Sequence, residues 1–173
     1  MTWRLLRNPF CGRVPPSLPA AYAPCTDEEL VDAVTVVMTV KDTCAQAAST
    51  LADLADKVPR GVHVVYVHPD FVGCRSVAPD VGLFPRFTRI ATPASASPID
   101  GFLAAQPHVR TPFALLMHND VVLMDAGQGA CELLRALQAH PEAAFGAPQI
   151  YERSANGIVV PHAHQTRLHL SEE

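Results

Sequence analysis

The sequence predicts an α/β domain: a mostly parallel sheet flanked by helices. Three observations lead there. Val34 to Val40 is β-branched almost throughout, Val62 to Val67 reads as a second strand, and Phe113 to Met117 is a short unbroken apolar run, each of strand rather than helix length. The first two runs are separated by apolar residues at helical spacing, so strand, helix and strand follow in the order that demands a right-handed parallel crossover. Each run also stops abruptly in polar residues, and open α/β sheets place their ligands at the carboxyl ends of their strands.

Residues 1–30 form a proline-rich arm, with Pro9, Pro15, Pro16, Pro19 and Pro24 opposing both helix and central strand. Thr26 with Glu29 has the capping-box spacing and starts a helical turn. The first strand, VTVVMTV, ends at Lys41-Asp42-Thr43. Ala47, Ala48, Leu51, Leu54, Ala55 and Val58 then trace one face of a helix that Asp42 or Thr43 can cap and Pro59-Arg60-Gly61 closes. The second strand runs to Val67 and exits at His68-Pro69-Asp70. Residues 70–85 read as a loop, and Phe87 to Ala91 as a short third strand. Ser97-Pro98 opens a helix over Ile99 to Gln106, because proline is favoured in the first turn.

Phe113 to Met117 reads as a strand buried on both faces, followed by the triplet His118-Asn119-Asp120. Asp125 opens a further helix, marked by Ala130, Leu133, Leu134 and Leu137 and ending at His140-Pro141. Ala143 to Tyr151 reads as one more strand. Asn156-Gly157 is a hairpin signal leading into Ile158-Val159-Val160.

Composition narrows the function. The 13 Lys and Arg against 17 Asp and Glu give a net charge of -4, opposite to the dense basic face a nucleic-acid binder needs. No apolar run reaches the roughly 20 residues of a membrane span. The opening residues lack the apolar core of a secretory signal. The five cysteines are widely spaced, form no C-x-x-C pair and are odd in number, which predicts reduced, buried thiols and a cytoplasmic chain.

Read from the residues alone, Asp120 is either a hard oxygen ligand at a strand end or a polar loop exit. Asn119 can orient it or a bound group. Asp42 reads first as a helix cap, and Asp125 as another. His162 and His164 read first as surface turn residues.

Four segments, in order, resemble the GT-A nucleotide-sugar domain of family 2 glycosyltransferases. VTVVMTVKD (Val34 to Asp42) is similar to the family's first strand, and HVVYVHPD (His63 to Asp70) sits where its second strand ends in an acidic pair. FALLMHNDVVLMDAG (Phe113 to Gly127) resembles the strand that carries the Asp-x-Asp or Asn-Asn-Asp motif. PEAAFGAPQIY (Pro141 to Tyr151) with NGIVVPHA (Asn156 to Ala163) is similar to the strand and turn that follow.

The resemblance implies a GT-A-like domain over residues 31–173, with the C-terminal acceptor half lacking. It implies transfer of a sugar from a nucleotide-diphosphate donor to an acceptor hydroxyl, assisted by Mn²⁺ or Mg²⁺. Val40, Lys41, Asp42, Asp70, His118 and Asn119 would contact the nucleotide-sugar; Asp120 and His162 would bind the metal. The chain departs from the family where His68-Pro69 replaces the acidic pair, and no carboxylate is assigned as the acceptor's general base. The alternative is a non-catalytic GT-A-like module that has lost donor chemistry.

Overall fold

Local sequence signals set where the elements begin. In the computed structural model, which describes residues 23–40, 43–75, 83–121, 123, 128–147, 151–153, 159–161 and 169–172, Thr26 caps α1 (Asp27–Ala33) through a reciprocal capping box. The Glu29 backbone N–H donates to Thr26 Oγ1 at 3.2 Å, and the Thr26 N–H to Glu29 Oε2 at 2.8 Å. Ser97 and Asp100 repeat the device at α4 (Pro98–Ala105), with proline in the first turn as the sequence predicts.

β1 (Val34–Thr39) leads through α2 (Cys44–Ala55) to β2 (His63–Pro69), then through α3 (Val72–Arg75) to β3 (Phe87–Thr92). α4 and a short 3₁₀ turn return the chain to β4 (Phe113–His118), after which come α5 (Gln128–Ala139) and β5 (Ala143–Ala147). β1 to β4 form one sheet in the order β3-β2-β1-β4, every pair parallel. The predicted α/β class holds.

The crossovers divide the core by sheet face. Val36, Met38, Val64 and Tyr66 pack against Leu51 and Leu54 of α2 on one face. Val37, Val65 and Val67 pack against Ala105 and Phe102 of α4 on the other. Truncating Leu51 or Leu54, both 1% exposed, would cost about 3 kcal/mol, the usual loss for a buried leucine. Gly101 lets α4 lie close on β1: a Cβ there would stand 3.0 Å from Thr39 Cγ2 and 3.6 Å from Val67 Cγ1.

Three strand expectations change. β2 continues through His68 and Pro69 instead of exiting before them. The missing proline N–H does no harm there, because β1 has already ended: its last partner on that side is Val67, paired with Thr39. β4 lies at the sheet edge, with Leu116 52% exposed, rather than buried on both faces. An apolar run alone does not separate these two cases. The single strand expected over Ala143 to Tyr151 is two, β5 and β6 (Tyr151–Arg153). β6 pairs antiparallel with β7 (Val159–Pro161), as the hairpin signal predicts, and β5 pairs with β8 (His169–Glu172). The Asn156-Gly157 turn itself and Asp125 lie outside the described residues.

The expectation of reduced thiols is overturned for four of the five cysteines; Cys11 lies outside the described residues. Cys25 and Cys131 are disulfide-bonded, with Cα atoms 5.6 Å apart, joining the segment before α1 to α5. Cys44 and Cys74 form a second bond, joining the first residue of α2 to α3, with Cα atoms 4.8 Å apart. Pairings across 106 and 30 residues depend on topology, which spacing along the chain does not reveal. Arg135 of α5 adds an ion pair to Glu29 of α1 at 2.9 Å, beside the first disulfide. Among the described residues, no helix is long and apolar enough to cross a membrane.

Candidate crevice at the ends of β1 and β4

The strand order reverses between β1 and β4: β1 leads on to β2 on one side, and β4 lies on the other. In open parallel sheets such a reversal leaves a crevice outside the strand ends. The register brings Thr39 of β1 directly opposite His118 of β4. The triplet singled out in the sequence therefore emerges at this crevice, and its three side chains have different surroundings.

His118 shares the sheet face covered by α4. Its Nδ1 lies 3.0 Å from Thr39 Oγ1, and its ring centroid lies 5.7 Å from that of Phe102. Burial of the half-enclosed imidazole lowers its pKa from the ordinary 6.5, while the Asp120 charge pulls the other way. The net result is a neutral ring at physiological pH.

Asn119 serves the opposite face. Its Nδ2 donates to the Thr43 carbonyl at 2.9 Å and to Thr43 Oγ1 at 3.0 Å, reaching the residue that precedes α2. The Thr50 hydroxyl donates to the Asn119 carbonyl at 2.5 Å, and the Asn119 N–H donates to the Thr39 carbonyl at 3.1 Å. Only 5% exposed, Asn119 is a brace that fixes the start of α2 against the end of β4. Thr43, the N-cap residue of α2, makes no side-chain cap bond, and its Oγ1 accepts from Asn119.

Asp120 is exposed, and no hydrogen bond or salt bridge among the described residues engages its carboxylate. Val40 is buried, with its N–H donating to the Val67 carbonyl at 2.9 Å, so it offers a ligand no amide hydrogen. Asp70, past the end of β2, accepts from Arg75 Nε at 2.6 Å in an exposed pair. It lies one strand beyond β1, so sheet spacing alone puts it about 10 Å from the end of β4.

The structure thus brings Val40, His118, Asn119 and Asp120 to adjacent strand ends and leaves Asp70 to one side. Lys41, Asp42 and His162 lie outside the described residues. Among the described residues no three or more His, Cys, Asp or Glu side chains group as a metal site. A carboxylate metal ligand here would complete its shell with ligand oxygens and water, as Mg²⁺ commonly does.

Sequence reasoning named Thr43 only as a candidate helix cap and passed over Thr39 and Thr50, the other hydroxyls that bond the triplet. The signal for Thr39 was its place at the end of a β-branched run. The bonds of the other two are visible only once β4 is laid beside β1. Two further polar groups lie beneath α3. His68 is buried, with Nδ1 2.8 Å from the Pro69 carbonyl and its ring stacked 5.3 Å from Tyr66. The Tyr66 hydroxyl is buried without a hydrogen-bond partner among the described residues, and burial pushes its pKa up to about 12.

Fold and crevice together define a Rossmann-like α/β domain. No protein-family model and no curated protein matches the chain.

Proposed function

We propose that this domain binds a nucleotide-diphosphate sugar at the β1/β4 crevice and supports transfer of the sugar to an acceptor hydroxyl, in the manner of the family 2 glycosyltransferases it resembles. The observation that carries the reading is the pairing of Thr39 with His118 at the reversal of strand order, which sets the His118-Asn119-Asp120 triplet at the crevice. Asp120 is the metal ligand in this reading. Its exposed carboxylate suits Mn²⁺ or Mg²⁺, both of which favour oxygen donors. The ion, when bound, offsets charge on the departing diphosphate.

The chain's own residues supply position and polarity. In this reading the half-buried His118 ring, held by Thr39 and flanked by Phe102, lies beside the diphosphate. Asn119 keeps the start of α2 fixed against β4, a positioning role in place of the direct nucleotide contact expected of it. Donors held rigidly in a partly buried setting need little reorganisation when charge develops, which is how electrostatic stabilisation gains its strength.

A second reading, a non-catalytic module, draws on two particulars. The Asn119 amide is engaged by Thr43, and the Asp70 carboxylate by Arg75. The test is a thermal-shift titration with UDP and GDP, with and without Mn²⁺, on the wild type and Asp120→Asn. A ligand that binds only the native state raises the melting temperature by mass action. A metal-dependent rise that disappears in Asp120→Asn supports the donor site. No rise with either nucleotide removes the enzyme reading and leaves the binding module.

A further inference from the structure

The start of α2 is held from both sides. Toward β4, Asn119 bonds the carbonyl and hydroxyl of Thr43. Toward β2, the next residue, Cys44, is covalently joined to Cys74 of α3. Cys74 is fully buried, while Cys44 is partly exposed at the first position of α2. α3 has only four residues and follows directly on the turn that holds Asp70. It has too few internal hydrogen bonds to persist by itself, since isolated helices this short are unstable. Among its ties to the body are the buried Cys74 side chain, the exposed Asp70–Arg75 pair and a hydrogen bond from Arg89 of β3 to the Arg75 carbonyl at 2.9 Å; of these, only the Cys74 tie is covalent.

We propose that Cys44–Cys74 is a redox-responsive latch on the crevice: its reduction by a dithiol releases α3 from the first turn of α2 and loosens the β1–α2 junction that Asn119 braces. A dithiol thiolate attacks the sulfur of Cys44, the more exposed of the two residues, the bond between the two cysteine sulfurs breaks, and Cys74 leaves as a thiolate that takes up a proton. The second thiol of the reductant then displaces Cys44 and closes its own disulfide. Two electrons pass to the protein and both cysteines end as thiols. The other bond, Cys25–Cys131, ties α5 to the segment before α1, at a distance from this junction, and serves as the internal control. Such a latch suits a chain that moves between reducing and oxidising surroundings, or one held in an oxidising compartment where the bond persists. The latch holds whatever the crevice binds; its effect on nucleotide affinity rests on the donor reading.

The experiment is hydrogen–deuterium exchange on the Cys25→Ser/Cys131→Ser variant, oxidised and then reduced with dithiothreitol. The unmodified chain and a Cys44→Ser/Cys74→Ser variant are run alongside. Reduction is expected to speed exchange roughly tenfold in peptides covering 43–50 and 70–75, while β1 and β2 stay protected. The Cys44→Ser/Cys74→Ser variant should exchange at the fast rate in these peptides with or without reductant. Unchanged exchange on reduction overturns the proposal, as does a Cys44 or Cys74 thiol that alkylates freely in the oxidised protein. A UDP titration with Mn²⁺ on both redox forms separates the two ideas. A redox change in exchange with no nucleotide bound in either form sustains the latch and removes the donor site.

Discussion

The exits of β4 and β2 are built on different scales. At β4, Asn119 and His118 are positioned by groups 69 to 79 residues away in sequence: Thr39, Thr43 and Thr50. These bonds are buried or half-buried, and they join β4 to β1 and α2. At β2, Asp70 is positioned by Arg75, five residues on and in solvent. Buried, non-local hydrogen bonds are costly to break because they leave an unsatisfied group behind, whereas exposed ion pairs contribute little. A site that must hold a ligand's geometry belongs at the first kind of exit. This contrast is why the crevice is assigned to β1 and β4, with Asp70 outside it.

The sharpest break of the comparison is Asn119→Ala against Asp70→Asn. Removing the Asn119 amide breaks the two half-buried hydrogen bonds that tie β4 to Thr43. Urea unfolding should register a loss of about 2.5 kcal/mol, from about 1–1.5 kcal/mol for each of the two hydrogen bonds. Asp70→Asn should leave the urea midpoint unchanged. Equal effects from both would erase the distinction between the two exits.

Gly101→Leu should follow, with a loss of about 2 kcal/mol, the usual cost of overpacking. The added side chain begins 3.0 Å from Thr39 Cγ2 and pushes α4 away from the end of β1. Any nucleotide-induced rise in melting temperature should shrink in the same variant, because Phe102 and His118 move apart.

The smallest effect is one of pH. Burial lowers the pKa of His118 below its ordinary 6.5, and burial together with the Arg86 and His108 charges lowers that of His63. Each contributes stability that is fully present above pH 6.5 and lost as pH falls toward the depressed folded value, because the unfolded chain takes up the proton first. Melting temperature should therefore decline on acidification below 6.5. His118→Asn should flatten part of that decline, and His118→Asn/His63→Asn more of it. A His118→Asn profile that parallels the wild type would show that the ring is not held neutral by its surroundings.

Much of the sheet was legible in the sequence, because its strands advertise themselves. Val34 to Val40 is β-branched almost throughout, and the α2 stripe of Ala47, Leu51 and Leu54 repeats at helical spacing. The caps at Thr26 and Ser97 were equally plain, being local pairs three residues apart. What stayed hidden depends on which strand lies beside which. His68 and Pro69 look like a loop until β3 is placed alongside, where Pro69 pairs with Thr92. β4 looks central until the order of strands is known. Cys44 and Cys74, and the hold of Asn119 on Thr43, are likewise products of topology. At the crevice the residue types were readable and their division of labour was not: one triplet supplies a neutral ring, a brace and an exposed carboxylate.

The central claim is that a metal and a nucleotide meet at the joined ends of β1 and β4. Backbone amide NMR with Mn²⁺ added in the presence of UDP tests it most directly, because the paramagnetic ion broadens only nearby signals. The account predicts broadening centred on Thr39, Val40, His118 and Asp120, weaker at Asp70, and abolished in Asp120→Asn. Broadening centred on another part of the surface, or none beyond that seen with Mn²⁺ alone, would contradict it.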